Sequence, residues 1–150
     1  MAHSIVHVLS SFGMGGQERV ALDLACGQQA LGHRVLTISL AGGEEGPLAA
    51  EFRSKGLAIA TVAKRPGRDL KLPIELALAF RAAEADVVHT HNPQPLLFSA
   101  LAVPSTGACL VHTKHGVNPD SKRRLIMRRI AGHTVAVFVA VAEPIAEVAR

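Results

Sequence analysis

The chain reads as an α/β protein built on a doubly wound, Rossmann-like parallel sheet, and three observations point there. Short apolar runs alternate with helical stretches along all 150 residues, the pattern that winds parallel strands with helices on both faces. Hydrophobic residues make up 49% and charged residues 19%, with no Trp or Tyr, so one core of Leu, Val, Ile, Ala and Phe is expected at this length. Polar and glycine clusters follow the first, fourth and fifth apolar runs, and ligands of such sheets bind beyond the carboxyl ends of the strands.

Ile5 to Ser10 is the first expected strand. Gly13 to Gly16 forms a glycine turn that opens a helix, in which Val20, Leu24, Gly27 and Leu31 recur at helical spacing, and Gly32 closes it as a left-handed cap. Val35 to Leu40 is the second strand. A Gly/Glu-rich loop, a short helix around Leu48 to Lys55, a turn at Gly56 and a third strand from Leu57 to Val62 come next. Ala63 to Leu72 is basic and turn-rich, hence a surface loop before a helix opened by Pro73. The remaining strands are Asp86 to Thr90, Cys109 to Thr113 and Val135 to Val141, separated by helices over Pro95 to Leu101 and Ser121 to Ile130. Glu143-Pro144 starts a further helix with less than two turns before Arg150. A stub of that length is marginal alone, so a longer natural polypeptide is expected. Right-handed crossovers give the strand order 3-2-1-4-5-6, with the first and fourth strands side by side at the switch point.

Bulk properties narrow the function. A net charge of +4 allows contact with phosphates or anionic surfaces, but aromatics are only 3% of the chain, too few for base-stacking platforms, so nucleic acid is not an expected partner. Cys26 and Cys109 form no metal or disulfide pattern. The first residues lack a signal-peptide pattern, and no run is long and apolar enough to span a bilayer. A cytoplasmic location is the expectation.

Three clusters carry the candidate chemistry. In Gly13-Met14-Gly15-Gly16-Gln17-Glu18-Arg19, small residues let a ligand approach the backbone, and the helix N-terminus offers free N–H groups to an anion. The dinucleotide fingerprint would need glycine where Glu18 stands and an acid after the second strand, where Ser39 and Leu40 stand, so a nicotinamide cofactor is disfavoured. A tight turn without a ligand is the plain alternative. In His89-Thr90-His91-Asn92-Pro93, His89 and His91 share a strand face at the carboxyl edge, either as ligand groups or, for His89, as a hydrogen-bonded strand-end residue. In His112-Thr113-Lys114-His115-Gly116, an imidazole before a glycine is placed to meet a sugar hydroxyl. Zinc on His89, His91, His112 and His115 matches no closed-site spacing and has no carboxylate beside it.

These segments resemble a known family. Gly15-Gly16-Gln17-Glu18-Arg19 is similar to the GG-x-E-R turn of glycosyltransferase family 4. Asp86-Val87-Val88-His89-Thr90-His91 is similar to its D-V-V-H-x-H strand, Thr113-Lys114-His115-Gly116 to its T-x-H-G segment, and Val139-Ala140-Val141-Ala142-Glu143 to its V-x-V-S-E strand. The motifs come in the family's order and run nearly end to end. The resemblance implies a GT-B enzyme, in which an N-terminal domain binds the acceptor and a C-terminal domain holds most of the nucleotide-sugar. It further implies transfer with retained anomeric configuration, no metal, and no cofactor beyond the nucleotide-diphosphate sugar that serves as donor substrate.

Carried over by position, Gly15 and Gly16 would approach the donor diphosphate or the acceptor. His91 and Asn92 would line the acceptor side, and His115, with Gly116 beside it, would lie near the transferred sugar as the catalytic candidate. Residues 1–150 would form a single acceptor-side domain without the donor-binding domain, inactive alone. The implied partners are that C-terminal domain, the nucleotide-sugar donor and a sugar or lipid-linked acceptor, in the synthesis of a glycan, glycolipid or cell-envelope polysaccharide. Ala142 replaces the family's serine and removes a helix N-cap. Lys122, Arg123, Arg124, Arg128 and Arg129 could meet an anionic membrane, yet Leu125, Ile126 and Ile130 do not separate from them on a helical wheel, which favours a solvated surface helix. The rivals to a transferase are a binding module for a phosphorylated small molecule and a zinc hydrolase.

Overall fold

A computed structural model of the chain describes residues 1–43, 45–116 and 122–141. Its sheet contains β1 (Ser4–Leu9), β2 (Arg34–Ser39), β3 (Ala58–Thr61), β4 (Val87–Thr90), β5 (Cys109–Lys114) and β6 (Val135–Ala140). All pair in parallel in the order β3-β2-β1-β4-β5-β6, which is the doubly wound, Rossmann-like arrangement expected. Between the strands run α1 (Gly16–Ala30), α2 (Leu48–Ser54), α3 (Leu72–Ala82), α4 (Pro93–Ala102) and α5 (Lys122–Gly132). The stretch from Ala142 to Arg150, with the expected N-cap position and the Glu143-Pro144 helix, lies outside the described residues, as do Ser121 and the side chains of Lys122, Arg123, Arg124, Leu125 and Arg128.

Two apolar layers sandwich the sheet. Val6 and Val8 of β1, Val88 of β4 and Leu110 of β5 pack with Leu72, Leu76 and Phe80 of α3 and Leu96 of α4. On the other face Leu9 and Phe12 pack with Ala21, Leu22 and Ala25 of α1 and with Leu48 and Phe52 of α2. Every residue of β1 is buried because strands lie on both sides of it and helices cover both its faces. Burial of six or so Leu, Ile and Phe side chains per layer, at about 1.5–3 kcal/mol each, dominates the stability.

Gly32 and Gly56 adopt φ of +86° and +73°, the left-handed turns expected of them. The face that α1 buries differs from the apolar spacing in its sequence. Glu18, Ala21, Leu22 and Ala25 are buried, while Val20, Leu24 and Leu31 are 36%, 37% and 77% exposed. Alanines let the helix axis approach the sheet closely, and the bulkier residues are left on the outer side. Helix α4 starts at Pro93 rather than Pro95: Asn92 is extended (φ −140°, ψ 160°) and Pro93 takes the first helical position, where its missing N–H costs nothing.

Candidate functional site

The carboxyl ends of β1, β4 and β5 surround a cleft of about 500 Å³. Gly15, Gly16, Gln17 and Val20 line it from the start of α1, and His91, Asn92 and Pro93 from the end of β4 and the start of α4. His112, Thr113, Lys114, His115 and Gly116 line it from the end of β5, with Val141 beyond β6. The six residues singled out from the sequence, Gly15, Gly16, His91, Asn92, His115 and Gly116, therefore share one cavity. This follows from the strand order, since β4 is hydrogen-bonded to both β1 and β5.

Gly15 caps α1 in an extended conformation with no side-chain hydrogen bond to the first turn, so the N-terminal amides carry no side-chain cap. Below them lies Glu18, 3% exposed. Its Oε1 accepts from Gln17 Nε2 at 2.9 Å, and its Oε2 is buried with no hydrogen-bond partner among the described residues. A Cβ on Gly15 would collide with that oxygen, so glycine is what admits the carboxylate there. Asn92 donates to Ser10 Oγ at 2.9 Å, tying the start of α4 to the end of β1.

The histidines separate onto the two sheet faces. His112 Nδ1 lies 2.9 Å from the Thr90 hydroxyl and its ring meets Phe138 edge-on. On the opposite face, His89 Nε2 lies 2.7 Å from the Thr113 hydroxyl, and the His89 and His91 ring centroids are 4.3 Å apart. His7, the cross-strand neighbour of His89, is fully buried beside both. His7 Nδ1 sits 2.9 Å from His91 Nε2, and His91 Nδ1 sits 3.1 Å from His115 Nε2.

Burial disfavours the charged imidazole, pushing His7 down to about 4 despite the hydrogen bond it donates to the Gln28 amide oxygen and His89 down to about 3, where neighbouring imidazoles add to the effect. His91 is driven well below its ordinary value for the same reasons. His115 is lowered by partial burial, with the Glu18 carboxylate acting in the opposite direction. At neutral pH all four rings carry one N–H and one lone pair.

The four histidines considered for zinc do not converge, because His112 faces away. Among the described residues the group whose ligand atoms come together is His7, His89 and His91, within 4.8 Å of one another. No carboxylate joins them, and His7 and His91 already spend both ring nitrogens on hydrogen bonds. Sequence reading left out His7 and gave Glu18 and Lys114, though inside its clusters, no role of their own. His7 looks like one polar residue in a buried strand, although pairing β1 with β4 would have set it opposite His89. Glu18 stands at the third helical position, the spacing of a capping-box acid. Lys114, 7% exposed, ends β5 on the cleft wall.

With this geometry in place, comparisons with known proteins give a family and a shared fold. The family described as Glycosyltransferase Family 4 matches residues 14–150. A glycosyltransferase from Rickettsia africae is 25% identical with a TM-score of 0.70, covered over 81% of this chain and 32% of its own. HepE of Anabaena in complex with UDP is 18% identical with a TM-score of 0.76, over 92% and 37%. MurG of Acinetobacter baumannii is 13% identical with a TM-score of 0.73, over 97% and 42%. The chain thus spans between 32% and 42% of the length of these structures. No curated protein matches.

Proposed function

The chain belongs to glycosyltransferase family 4, and we propose from that membership that it is the acceptor-side, N-terminal half of a retaining GT-B enzyme. On this reading it transfers a sugar from a nucleotide-diphosphate donor to a sugar or lipid-linked acceptor in glycan, glycolipid or envelope polysaccharide synthesis. The observation that carries the proposal is the single cleft that holds Gly15, Gly16, His91, Asn92, His115 and Gly116 at the switch point of the sheet. Anabaena HepE is known in complexes with UDP and with UDP-glucose, which supports a uridine-type donor as the first to try.

The roles follow from the chemistry of the lining. Glu18, buried beneath Gly15, places a negative charge under the glycine turn that favours a ligand hydroxyl over a phosphate near Gly15. His115 meets a hydroxyl of the transferred sugar, and His91 and Asn92 line the acceptor side. The amides at the start of α1 face the diphosphate as charge develops on it. Catalysis comes from orientation and leaving-group stabilisation, with the second domain supplying the rest of the donor site. The isolated chain is inactive on this reading, needs no metal, and works in the cytoplasm. Among the described residues no helix is long and apolar enough to cross a membrane. Ile126, Met127 and Ile130 on α5 are 54–66% exposed and would rest against a lipid surface where the acceptor is lipid-linked.

NMR titration of the chain with UDP, UDP-glucose and simple sugars tests the proposal. Shifts should concentrate at Gly15, Gly16, His91, Asn92 and His115. Saturable shifts that avoid the cleft, or no shifts at millimolar ligand, would overturn it.

A further inference from the structure

Four side chains form one hydrogen-bonded line running from α1 beneath the sheet's carboxyl edge to the cleft. Gln28 Oε1 lies 2.7 Å from His7 Nε2, His7 Nδ1 lies 2.9 Å from His91 Nε2, and His91 Nδ1 lies 3.1 Å from His115 Nε2. Each link needs one N–H and one lone pair. A neutral imidazole has one of each on its two nitrogens, so the direction of the first link dictates the direction of all the others. The amide oxygen of Gln28 can only accept. His7 must then carry its proton on Nε2 and accept on Nδ1, His91 must donate from Nε2 and accept on Nδ1, and His115 must donate from Nε2.

We propose that Gln28 and His7, neither of which lines the cleft, are positioning residues that fix the tautomer of His115 through His91, so that the Nδ1 lone pair of His115 is offered to a ligand hydroxyl. Gln28 is the asymmetric end of the line. Turned with its NH₂ toward His7, it would reverse every link and leave His115 offering an N–H instead. Full burial of His7 and near-full burial of His91 keep both rings neutral, the condition for the direction to propagate. His115 Nδ1 has no hydrogen-bond partner among the described residues, which leaves it to a ligand. That the hydroxyl belongs to a sugar rests on the proposed function; the tautomer does not.

The test is long-range ¹H–¹⁵N correlation of ¹⁵N-histidine-labelled chain at neutral pH without ligand, with His115 assigned by the signals lost in His115→Gln. The expected pattern is His115 protonated on Nε2 with a lone pair on Nδ1, in a population ratio of about ten to one, since one hydrogen bond is worth roughly a factor of ten. Gln28→Leu, which removes the directing group, should bring the two His115 tautomers to roughly equal populations. Gln28→Lys, whose ammonium only donates, should reverse the preference. A wild-type His115 protonated on Nδ1 or evenly mixed, or a His115 unmoved by Gln28→Lys and Gln28→Leu, would overturn the proposal. Should either variant fail to fold, the wild-type spectrum decides by itself. A failed sugar-nucleotide titration beside the expected tautomer would instead count against the transferase reading alone.

Discussion

Mild acid should unfold this protein through its buried imidazoles. His7, His89 and His91 are at most 7% exposed and hold their protons less tightly than the ordinary 6.5, His7 falling to about 4, His89 to about 3 and His91 further still. Desolvation is the first cause in each. A folded-state value below the unfolded one means that stability is fully present above pH 6.5 and is lost as pH falls toward the folded value. Between pH 7 and 5 each ring of the unfolded chain goes from about a quarter to almost fully protonated while the folded chain takes up almost no protons. At about 1.4 kcal/mol per proton per pH unit the loss is about 2 kcal/mol for each ring and about 5–6 kcal/mol for the three. A domain typically has 5–15 kcal/mol in all.

Three carboxylates are moved away from this window. Glu45 and Glu51 are held low by hydrogen bonds from Arg53 and Arg19, and Asp69 by the backbone N–H of Arg65. Circular dichroism melts at pH 7, 6 and 5 should therefore show the midpoint falling by about 15 °C, at roughly 3 °C per kcal/mol for a chain of this size. His89→Leu should remove about a third of the pH dependence whatever it does at pH 7. A midpoint that stays level between pH 7 and 5 would refute the reasoning, because the rings would then protonate in place.

Gly46→Ala should cost about 2 kcal/mol in urea denaturation, because its Cβ would fall on the main-chain carbonyl of Phe12, which cannot rotate away. Phe52→Ala removes a fully buried ring packed edge-on against Phe12 at 5.2 Å and should cost about 3–5 kcal/mol by the same assay. Asp69→Ala deprives the backbone N–H groups of Arg65, Lys71 and Leu72 of their acceptor; amide hydrogen exchange over residues 65–72 should rise, with a loss of about 1–3 kcal/mol. A Cβ added at Gly16 meets nothing within 4 Å among the described residues, so with Gly16→Ala stability should stay within about 0.5 kcal/mol. Ligand affinity, read by titration, should fall roughly tenfold, or about 1.4 kcal/mol, as the side chain enters the cleft.

The fold was legible because a parallel sheet leaves a strong trace: its strands are buried on both faces and read as short apolar runs. Gly32 and Gly56 marked their turns because only glycine takes a positive φ freely. The orientation of α1 was not legible. Its apolar spacing pointed to Val20, Leu24 and Leu31, while close packing selected the small residues Ala21 and Ala25, and a periodicity of hydrophobicity cannot see how near a helix axis must come. The rim of the site could be read from its glycines and from two histidine-bearing segments. The support under that rim could not, because His7 and Gln28 lie 84 and 63 residues from His91 along the chain and meet it only through strand pairing and helix docking.

That support decides what the cleft can recognise. A neutral His115 brings no net charge to an anion, and Glu18 behind Gly15 brings a negative one, so that part of the wall favours hydroxyls over phosphates. Positive potential comes from the uncapped amides at the start of α1. On the proposed reading, a sugar hydroxyl belongs near Glu18 and His115 and a diphosphate against the free α1 amides. Glu18→Gln separates the two arrangements: it should weaken a simple sugar several-fold in titration and leave UDP unchanged or tighter, since removing a nearby negative charge can only help an anion. A loss of UDP affinity equal to the loss for the sugar would mean that Glu18 holds the glycine turn in shape and does not sort the ligands.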